Sequence, residues 1–431
     1  MQALWKKSAS HLALPALVIA LLLIGFQFMK VDADRNKGTF YLKDHQGDRS
    51  ALADVTISGE LGDGFHKSSF YLEKGNVVTR TQVYDPPREV WYNNLSLDKL
   101  KGNLRYDLIY QPSSITVRDP KDSNSYWTAS VMPNITEYND TGQPKRDNTS
   151  AYTNRLEYGL AKIGDQDFFV VPSTNHYVGI SGIYKLNFID ARSNPGETPP
   201  SEALVTFSLD KNKEPSPSEI QVLGLEAVGD KLALILEEDQ RLVIRSYDSK
   251  SGKLLGEVAA DDFTVSNAYL AESKRKFNES YEAYSDVQNN RLSIAFMSGY
   301  EQGLVQKIIW SFDLSDGVKL LDETEITYKD LRVNDKRNME SIHYLNGKLY
   351  VIYSNLELGG KTDYDQFVFD PYQPKKLIIQ VYETHKLLYE GELVTDHNDD
   401  LISLQNYKRD SFTYDPVYNR EFEHIVVQSI K

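Results

Sequence analysis

The chain contains no cysteine among its 431 residues. That absence excludes disulfide bonds, cysteine nucleophiles, thiolate zinc sites, iron–sulfur clusters and a lipidated N-terminal cysteine. Tryptophan is also scarce, with four residues. Apolar residues at 40% and charged residues at 26% are typical of a folded chain rather than a disordered one. At roughly 100 to 200 residues per domain, the length allows two or three domains or one large all-β domain.

The sequence signatures of common catalytic sites are missing as well. No G-x-S-x-G, H-E-x-x-H or G-x-x-x-x-G-K-[ST] pattern occurs, so serine hydrolases, zinc proteases and P-loop enzymes lack their motifs here. Ser273–Lys276 fits S-x-x-K without its partner motifs, and we interpret it as a solvated loop. We expect His66, His343 and His424 to be hydrogen-bonded sheet residues. The sequence therefore predicts no catalytic, cofactor-binding or metal-binding residues.

An uncharged apolar run extends from Leu12 to Met29. As a helix with 1.5 Å rise per residue it would measure about 27 Å, close to the roughly 30 Å of a bilayer core. Lys6 and Lys7 precede it, and Asp32 and Asp34 follow it, so the positive-inside rule predicts a cytoplasmic N-terminus and an exported bulk. A cleaved signal peptide is the alternative, but bulky residues stand where a peptidase requires small ones. We expect an uncleaved single-pass membrane anchor.

Beyond this run the chain is acidic. Because the first thirty residues hold three lysines and no acid, residues 31–431 carry 45 Lys and Arg against 62 Asp and Glu, a formal charge of −17. Such a field repels phosphate backbones and anionic lipid, so we expect no nucleic-acid partner. The acidity favours cationic partners or serves solubility alone. An exported chain without cysteine is typical of a bacterial cell envelope.

A turn followed by an apolar strand recurs four times along the chain. These strands begin at Phe168, Leu232, Leu292 and Leu349, at separations of 64, 60 and 57 residues. In three copies a second strand follows in phase, ends in an aromatic residue, and is followed by an acid, a polar turn and a leucine pair. The pairs are Leu254–Leu255, Leu320–Leu321 and Leu387–Leu388. This double motif predicts about four antiparallel strands in each unit of about 60 residues.

The repeat predicts an all-β fold, a β-propeller of about seven four-stranded blades, with six to eight possible, after a single N-terminal transmembrane helix. Radial packing would bury both faces of each sheet and leave only short edges. Steps of 64 residues back from Phe168 reach Leu104 and then Phe40, at weaker copies of the motif. Strands at Leu401–Leu404 and His424–Val427 could complete a final blade and close the ring. Stacked β-sandwich domains are the alternative fold.

Two turn segments, Tyr247–Val258 and Phe312–Leu321, resemble the blade-ending turn of quinoprotein-like and WD40-like β-propellers. In each, an acid ends a strand and a glycine at a positive-φ site allows a tight reversal. The resemblance covers about Gly164 to Val394 and implies architecture alone. A quinone-dependent dehydrogenase of that group would carry a vicinal cysteine pair and regular blade tryptophans, so the resemblance implies no cofactor. Its non-enzymatic members act as extracytoplasmic scaffolds and binding modules.

One acidic run is a candidate for calcium. Asp396, Asn398 and Asp400 depart from the EF-hand loop because Leu401 follows where glycine is required and the bidentate glutamate is missing. Clustered carboxylates at strand ends can still bind calcium outside an EF-hand. An exposed acidic turn is the alternative interpretation, and the sequence leaves the choice open.

Tyrosine is the most abundant aromatic residue, with 28 copies against 21 of Phe and Trp together. A ring with a polar tip suits half-buried sheet positions and equally suits a surface that stacks on sugars or grips peptides. Aromatic residues near irregular segments are the candidates for a recognition face. They are Tyr110, Tyr126, Trp127, Tyr138 and Tyr152.

The expected organisation is a cytoplasmic tip and transmembrane anchor in residues 1–30 and an extracytoplasmic propeller in residues 31–431. We expect a binding, sensor or scaffold module in the cell membrane that recognises an envelope protein or a cell-wall ligand without catalysis. A propeller enzyme, hydrolase or lyase, that acts on cell-wall carbohydrate or peptide through carboxylates around the central channel is the alternative. A purely structural envelope protein is a third, weaker one.

Overall fold

The computed structural model is built almost entirely of β-strands. It describes residues 18–23, 38–84, 99–101, 104–107, 114–119, 122–139, 143–144, 156–190, 200–210, 220–265, 276–277, 280–301, 304–329, 340–354, 376–396 and 420–430. Residues 18–23 are helical, and 3₁₀ helices span Arg49–Leu52 and Leu156–Gly159. Within these ranges, no helix combines the length and the apolar character that a bilayer crossing requires.

The strands are numbered in chain order. The first ten are β1 (Phe40–Gly47), β2 (Val55–Gly62), β3 (His66–Glu73), β4 (Asn76–Val83), β5 (Lys99–Lys101), β6 (Leu104–Asp107), β7 (Ser114–Asp119), β8 (Asp122–Ser130), β9 (Asn134–Glu137) and β10 (Leu160–Ile163). The next ten are β11 (Gln166–Val170), β12 (Tyr177–Lys185), β13 (Ile189–Asp190), β14 (Glu202–Ser208), β15 (Ile220–Val228), β16 (Lys231–Glu238), β17 (Arg241–Asp248), β18 (Leu254–Ala260), β19 (Thr264–Val265) and β20 (Lys276–Phe277). The last nine are β21 (Tyr281–Asp286), β22 (Arg291–Glu301), β23 (Leu304–Asp313), β24 (Lys319–Lys329), β25 (Glu340–Leu345), β26 (Lys348–Ser354), β27 (Lys376–Glu383), β28 (Lys386–Thr395) and β29 (Glu421–Ser429).

In the described part of the chain, these strands form six sheets of four or five strands and one two-stranded sheet. We call the six larger sheets blades 1 to 6. Their strand orders are β29-β2-β3-β4, β5-β6-β7-β8-β13, β10-β11-β12-β14 with β9 on β12, β15-β16-β17-β18, β21-β22-β23-β24, and β25-β26-β27-β28-β1. First strands of neighbouring blades contact one another from β10 through β15, β21 and β25 to β29, so they line the centre. The predicted all-β propeller is confirmed, and the described residues form six of its blades.

The sequence repeat corresponds to the blades. The apolar strands predicted at Phe168, Leu232, Leu292 and Leu349 are the second strands of blades 3 to 6, and Leu104 begins the second strand of blade 2. The leucine pairs lie in the fourth strands β18, β24 and β28. A repeat read from turn spacing therefore located five of the six blades correctly.

The backward step to Phe40 assigned the wrong role to that residue. Phe40 begins β1, which pairs with β28 as a fifth strand of blade 6 instead of starting a further blade. The second strand of blade 1 is β2, which begins at Val55. Phe40 is the buried residue of β1, and most of the other side chains of this strand are exposed, as is typical of an edge strand. Leu401–Leu404 lies outside the described residues.

The first and the last strands pair with strands that are distant in sequence, and blades 6 and 1 meet there. β29 supplies the first strand of blade 1, where Ile57 on β2 pairs with Val427. The prediction that His424–Val427 joins N-terminal residues is confirmed. Asp54, just before β2, accepts hydrogen bonds from the Tyr350 hydroxyl at 3.0 Å and from Lys348 Nζ at 3.1 Å. Blade 1 is thus joined to blade 6 by side chains as well as by an apolar core.

The blade-ending turns have the predicted chemistry. The Asp248 carboxylate accepts hydrogen bonds from the Ser251 backbone N–H at 2.7 Å and from the Ser251 hydroxyl at 2.6 Å. Gly252 follows at φ +69°, a conformation that a side chain would strain. Asp313 likewise accepts the Ser315 N–H at 2.7 Å. In the turn, backbone N–H groups have no partner on a neighbouring strand, and the carboxylate accepts their hydrogen bonds instead.

Apolar cores lie between neighbouring blades. One joins blades 2, 3 and 4, a second joins blades 4 and 5, a third joins blades 6 and 1, and a fourth joins blades 5 and 6. In the second core, Phe263 and Phe277 stack with ring centroids 4.8 Å apart, and Trp310 meets Phe277 edge-on at 5.3 Å. Successive side chains of a strand point to opposite faces, so inner blades such as blade 4 contribute to two cores at once.

Blade 1 differs because one of its faces is polar. On β2, Ile57 and Leu61 are buried in the core shared with blade 6, whereas the alternating Ser58 is only half-buried. Ser58 pairs with Val426 on one side and with Tyr71 on the other, and both of these are exposed, Tyr71 by 43%. This pattern is typical of an antiparallel sheet with one packed face and one solvated face.

Candidate functional site

The two ends of the propeller strands carry different connections. At one end, which we call the turn face, pairs of residues join adjacent strands within a blade. These pairs include Lys74–Gly75, Gly164–Asp165, Gly229–Asp230, Asn346–Gly347 and Thr384–His385. At the opposite end, which we call the crossover face, the chain passes from blade to blade. The crossovers include residues 84–98, 209–219, 330–339 and 396–420, which lie wholly or mostly outside the described residues, so that only their ends are considered below. Recognition residues concentrate on long connections held by a rigid scaffold, so the crossover face is the candidate site.

Glu237 is a buried carboxyl at this face, near the end of β16. Its Oε2 accepts a hydrogen bond from Gln221 Nε2 at 2.8 Å and another from the Val265 backbone N–H at 3.2 Å. Burial raises the pKa of Glu237 to about 7, and the Val265 N–H only partly offsets this. Val265 lies in β19, on the crossover between blades 4 and 5. The carboxyl therefore holds one end of that crossover against the sheet.

Asp63, His66 and Arg420 form a second buried polar group where β29 enters blade 1. Arg420 Nε donates to Asp63 Oδ2 at 3.1 Å, and Asp63 Oδ1 accepts the His66 N–H at 2.6 Å. Burial opposes ionisation of Asp63, but the hydrogen bond with His66 and the charge of Arg420 lower its pKa below the ordinary value. Arg420 is 1% exposed. This ion pair fixes the last residue of the crossover that returns from blade 6.

Asp396, the first residue of the calcium candidate, is used in ring closure. Its Oδ1 accepts the Thr39 N–H at 2.5 Å, and its Oδ2 accepts the Thr39 hydroxyl at 3.0 Å. Asn398 and Asp400 lie outside the described residues. Over the ranges that the structure describes, no group of three or more His, Asp or Glu side chains is arranged to hold a metal ion. Asp396 thus has a structural partner, and calcium binding by the run stays an open prediction.

The predicted aromatic recognition residues are not brought together in the described part of the chain. Trp127 lies in β8, is half-buried and packs against the core of blades 2 to 4. Tyr138 is half-buried and forms an isolated bridge with Pro144. Tyr126 is also in β8, with a side chain outside the description, and Tyr110 and Tyr152 lie outside the described residues. Trp127 therefore contributes to packing, which its place near an irregular segment did not indicate.

The three histidines lie in strands, as predicted: His66 in β3, His343 in β25 and His424 in β29. His343 in β25 shares a hydrogen bond of 2.7 Å between its Nε2 and the Ser341 hydroxyl, and burial lowers its pKa to about 4. His66 lies beside Asp63 as described above. His424 in β29 is exposed, with Nδ1 3.4 Å from Glu60 Oε2. Lys276 of the S-x-x-K match lies in the short strand β20, and Ser273 is outside the described residues.

An open groove of about 670 Å³ lies between β24 and the β27–β28 turn, near the turn face. Asp322, Glu323 and Glu325 line it together with His385. Glu323 Oε2 accepts a hydrogen bond from Trp310 Nε1 at 3.1 Å, so this carboxylate supports the aromatic core behind it. The groove is acidic and widely open, and one of its acids already has a structural task.

No sequence motif indicates Glu237 or the Asp63–Arg420 pair. One feature of the sequence could have indicated Glu237. It directly follows the apolar residues Leu232–Leu236, and a side chain in the same strand as these residues is expected to be buried with them. Asp63 and Arg420 are 357 positions apart, so no local pattern connects them. Their pairing depends on β29 returning to blade 1.

No protein-family model matches the chain, and no curated protein matches it. Solved structures with propeller architecture do match. A prolyl endopeptidase is 13% identical with a TM-score of 0.24, and the match covers 79% of this chain and 42% of that one. The Dos1 propeller is 12% identical with a TM-score of 0.27, over 81% and 86% of the two chains. An apocarotenoid oxygenase from Synechocystis is 9% identical with a TM-score of 0.25, over 84% and 94%. The chain spans less than half the length of the endopeptidase, and scores this low transfer no activity.

Proposed function

We propose that this protein is a membrane-tethered, extracytoplasmic β-propeller that binds an envelope partner through its crossover face, as a sensor or scaffold module. One observation carries the proposal. Carboxylates tie the described ends of the crossovers to the blades: Glu237 holds Val265, Asp63 holds Arg420, and Asp396 holds Thr39. The hydrogen bonds that these acids accept fix the loop ends in a defined position. A rigid ring that presents ordered loop ends on one face suits recognition.

A fourth crossover end is held in the same way. Asp210, at the end of blade 3, accepts the Gly179 backbone N–H through Oδ2 at 3.0 Å. The side chains that perform this task differ in sequence context, but each is an acid that meets a donor near a blade end. The chain therefore uses part of its acidic excess for positioning. The membrane tether rests on the apolar run Leu12–Met29 and its flanking charges.

The enzyme alternative requires a second carboxylate that faces Glu237 across a substrate. Its immediate neighbour Glu238 lies on the opposite face of β16, where it accepts from Arg245 at 2.6 Å. Both hydrogen bonds to Glu237 converge on one oxygen and come from the protein itself. These contacts favour a buried structural acid over a catalytic one.

Photo-crosslinking in intact cells tests the proposal. A photoreactive amino acid replaces Met132, which is 64% exposed on the crossover face, or Val287, which is 58% exposed on the turn face. We expect a discrete higher-mass product from the Met132 position and none from the matched Val287 position. Products from Val287 alone, or from neither position, would contradict binding through the crossover face. Protease treatment of intact cells should degrade the propeller if it lies outside the membrane.

A further inference from the structure

Two blades carry a fifth strand at their outer edge. In blade 6, β1 pairs antiparallel with β28 from Phe40 to Gly47, and in blade 2, β13 pairs antiparallel with β8. Each added strand comes from a part of the chain outside the other four strands of its blade and joins the fourth strand through backbone pairing. Blades of this protein therefore accept an additional extended segment at the outer edge.

Within the described residues, β4, β14, β18 and β24 are outermost strands without such a neighbour. The longest of them is β24, with 11 residues against 7 or 8 in the other three. It pairs with β23 without a register shift from Asp322 to Lys329, and its sequence contains no proline. Every second residue along this stretch directs its backbone N–H and C=O groups away from β23. Such groups are a template for pairing with another strand.

The open groove of about 670 Å³ lies along this edge. Its lining includes Leu320, Leu321, Asp322 and Glu323, which follow one another in β24. Because successive side chains of a strand point to opposite faces, a cavity lined by consecutive residues must pass along the edge of the strand. The β27–β28 turn of blade 6 forms the other wall of the groove. An extended segment can therefore reach the backbone edge of β24.

The side chains of β24 decide which extended segment fits. Glu323 and Glu325 lie on the face toward blade 4, because they pair with Trp310 and Ile308, which belong to the core of blades 4 and 5. Glu325 is exposed, and Glu323 also accepts Trp310 Nε1. A second copy of β24, paired antiparallel over its whole length, would place Glu323 opposite Glu325, and like charges opposite each other are destabilising. Basic side chains at alternate positions would face both acids.

We propose that β24 binds an extended segment of a partner protein as a fifth strand of blade 5, with lysine or arginine at alternate positions against Glu323 and Glu325. Backbone pairing gives the affinity of such an addition, and alternate side chains give its specificity. The site is at the outer edge of the blade. The inference goes beyond the proposed function and does not depend on binding at the crossover face.

Fluorescence anisotropy with the full-length protein in detergent tests the strand addition. The probe is a labelled peptide of about ten residues in which threonine and lysine alternate, within the usual length of a strand. The control oligomer has the same side chains, but every backbone nitrogen is methylated. We expect the control to bind about tenfold more weakly, because it keeps the charges and lacks the N–H donors. Equal binding of the two, or no binding of the peptide, would overturn the inference.

Two charge variants separate the site from the net charge of the chain. Glu325→Lys changes an exposed residue of β24, and Asp230→Lys makes the same change of charge at a residue of blade 4 whose side chain is 71% exposed. We expect Glu325→Lys to weaken peptide binding about fivefold and Asp230→Lys to change it by less than about twofold. Equal weakening by both variants would mean that the peptide follows the net charge, and would overturn the site on β24.

Amide hydrogen exchange of the wild-type protein locates the bound peptide without any substitution. A saturating amount of the peptide should slow the exchange of alternate amides between Asp322 and Thr327 and leave the amides of β18 unchanged. Protection of other strands without protection of β24 would overturn the inference. These measurements concern the outer edge of blade 5, so their failure would leave the proposed function of the crossover face standing.

Discussion

The interface between blades 4 and 5 and the outward face of blade 1 are both built from antiparallel strands, but they differ in what the alternating side chains contribute. At the interface, Phe263, Phe296 and Trp310 are fully buried against one another. On blade 1, the corresponding alternation places Ser58 and Tyr71 toward solvent. A sheet of this fold can therefore form its strand order with only one packed face. A second packed face adds stability.

The largest expected effect comes from breaking the packed interface. Trp310→Ala removes a ring with no exposed surface that contacts three phenylalanine rings, and we expect a loss of about 3 to 5 kcal/mol in the free energy of unfolding. Tyr71→Ala on blade 1 is the matched aromatic control and should cost no more than about 0.5 kcal/mol. Urea unfolding of both variants measures the difference. Similar losses would show that blade 1 is packed on both faces.

Glutamates on the two surfaces should respond to pH in opposite directions. Glu237 has a folded pKa of about 7, above its ordinary value, so the folded state keeps a proton that the unfolded state releases. Its contribution is complete below the unfolded pKa and is lost as pH rises to about 7, by on the order of 3 kcal/mol. Glu237→Gln should remove this decline in unfolding free energy between pH 4.5 and 7.

Glu60→Gln on blade 1 is the control. Hydrogen bonds with Lys67, in the first place, and with His424 lower the pKa of Glu60. Its contribution is therefore present above the unfolded pKa and is lost as pH falls through the folded pKa. The difference between variant and wild type should have the reverse slope and a smaller size. A common slope for both variants would contradict the contrast between the two surfaces.

A substitution at the contact between blades 6 and 1 should lower the free energy of unfolding by an intermediate amount. Asp54→Ala removes the acceptor for the buried Tyr350 hydroxyl and for Lys348 Nζ, and we expect a loss of about 1 to 3 kcal/mol. Asp230→Ala is matched in position, since Asp230 also precedes the second strand of its blade, but its side chain is 71% exposed. That variant should stay within about 0.5 kcal/mol of wild type in thermal unfolding. An equal loss of stability at both positions would contradict a specific contribution of Asp54 to the contact between blades 6 and 1.

The smallest effect should come from the ion pair on the outward face of blade 1. Lys67 Nζ lies 2.7 Å from Glu60 Oε2, with both side chains partly exposed. Solvent screens such pairs, so Lys67→Ala should cost about 0.2 to 1 kcal/mol and less at high salt. Chemical unfolding at low and high ionic strength checks this. A cost that persists at high salt would indicate that another element covers this face.

Much of the fold could be predicted from local signals. The turn chemistry at Asp248 and Asp313 and the period that places Leu104, Leu232 and Leu292 depend on residues that are close in sequence. The candidate site is harder to predict from the sequence. Proximity to irregular segments indicated aromatic residues, whereas the site contains buried acids. Trp127 is half-buried and packs against the core, since strand alternation and the neighbouring blade decide its environment.

The sequence by itself determined the strand class, the repeated unit and the turns, because alternation of apolar residues and acid–glycine reversals act within a few residues. Only the tertiary structure decided how the ring closes: β1 joins β28, β29 joins β2, and Asp63 meets Arg420. Backbone pairing between strand edges carries little side-chain information. The strand with which an edge strand pairs is therefore decided by the geometry of the assembled sheets. The pairing of β1 with β28 in turn decides at which face the chain enters the propeller.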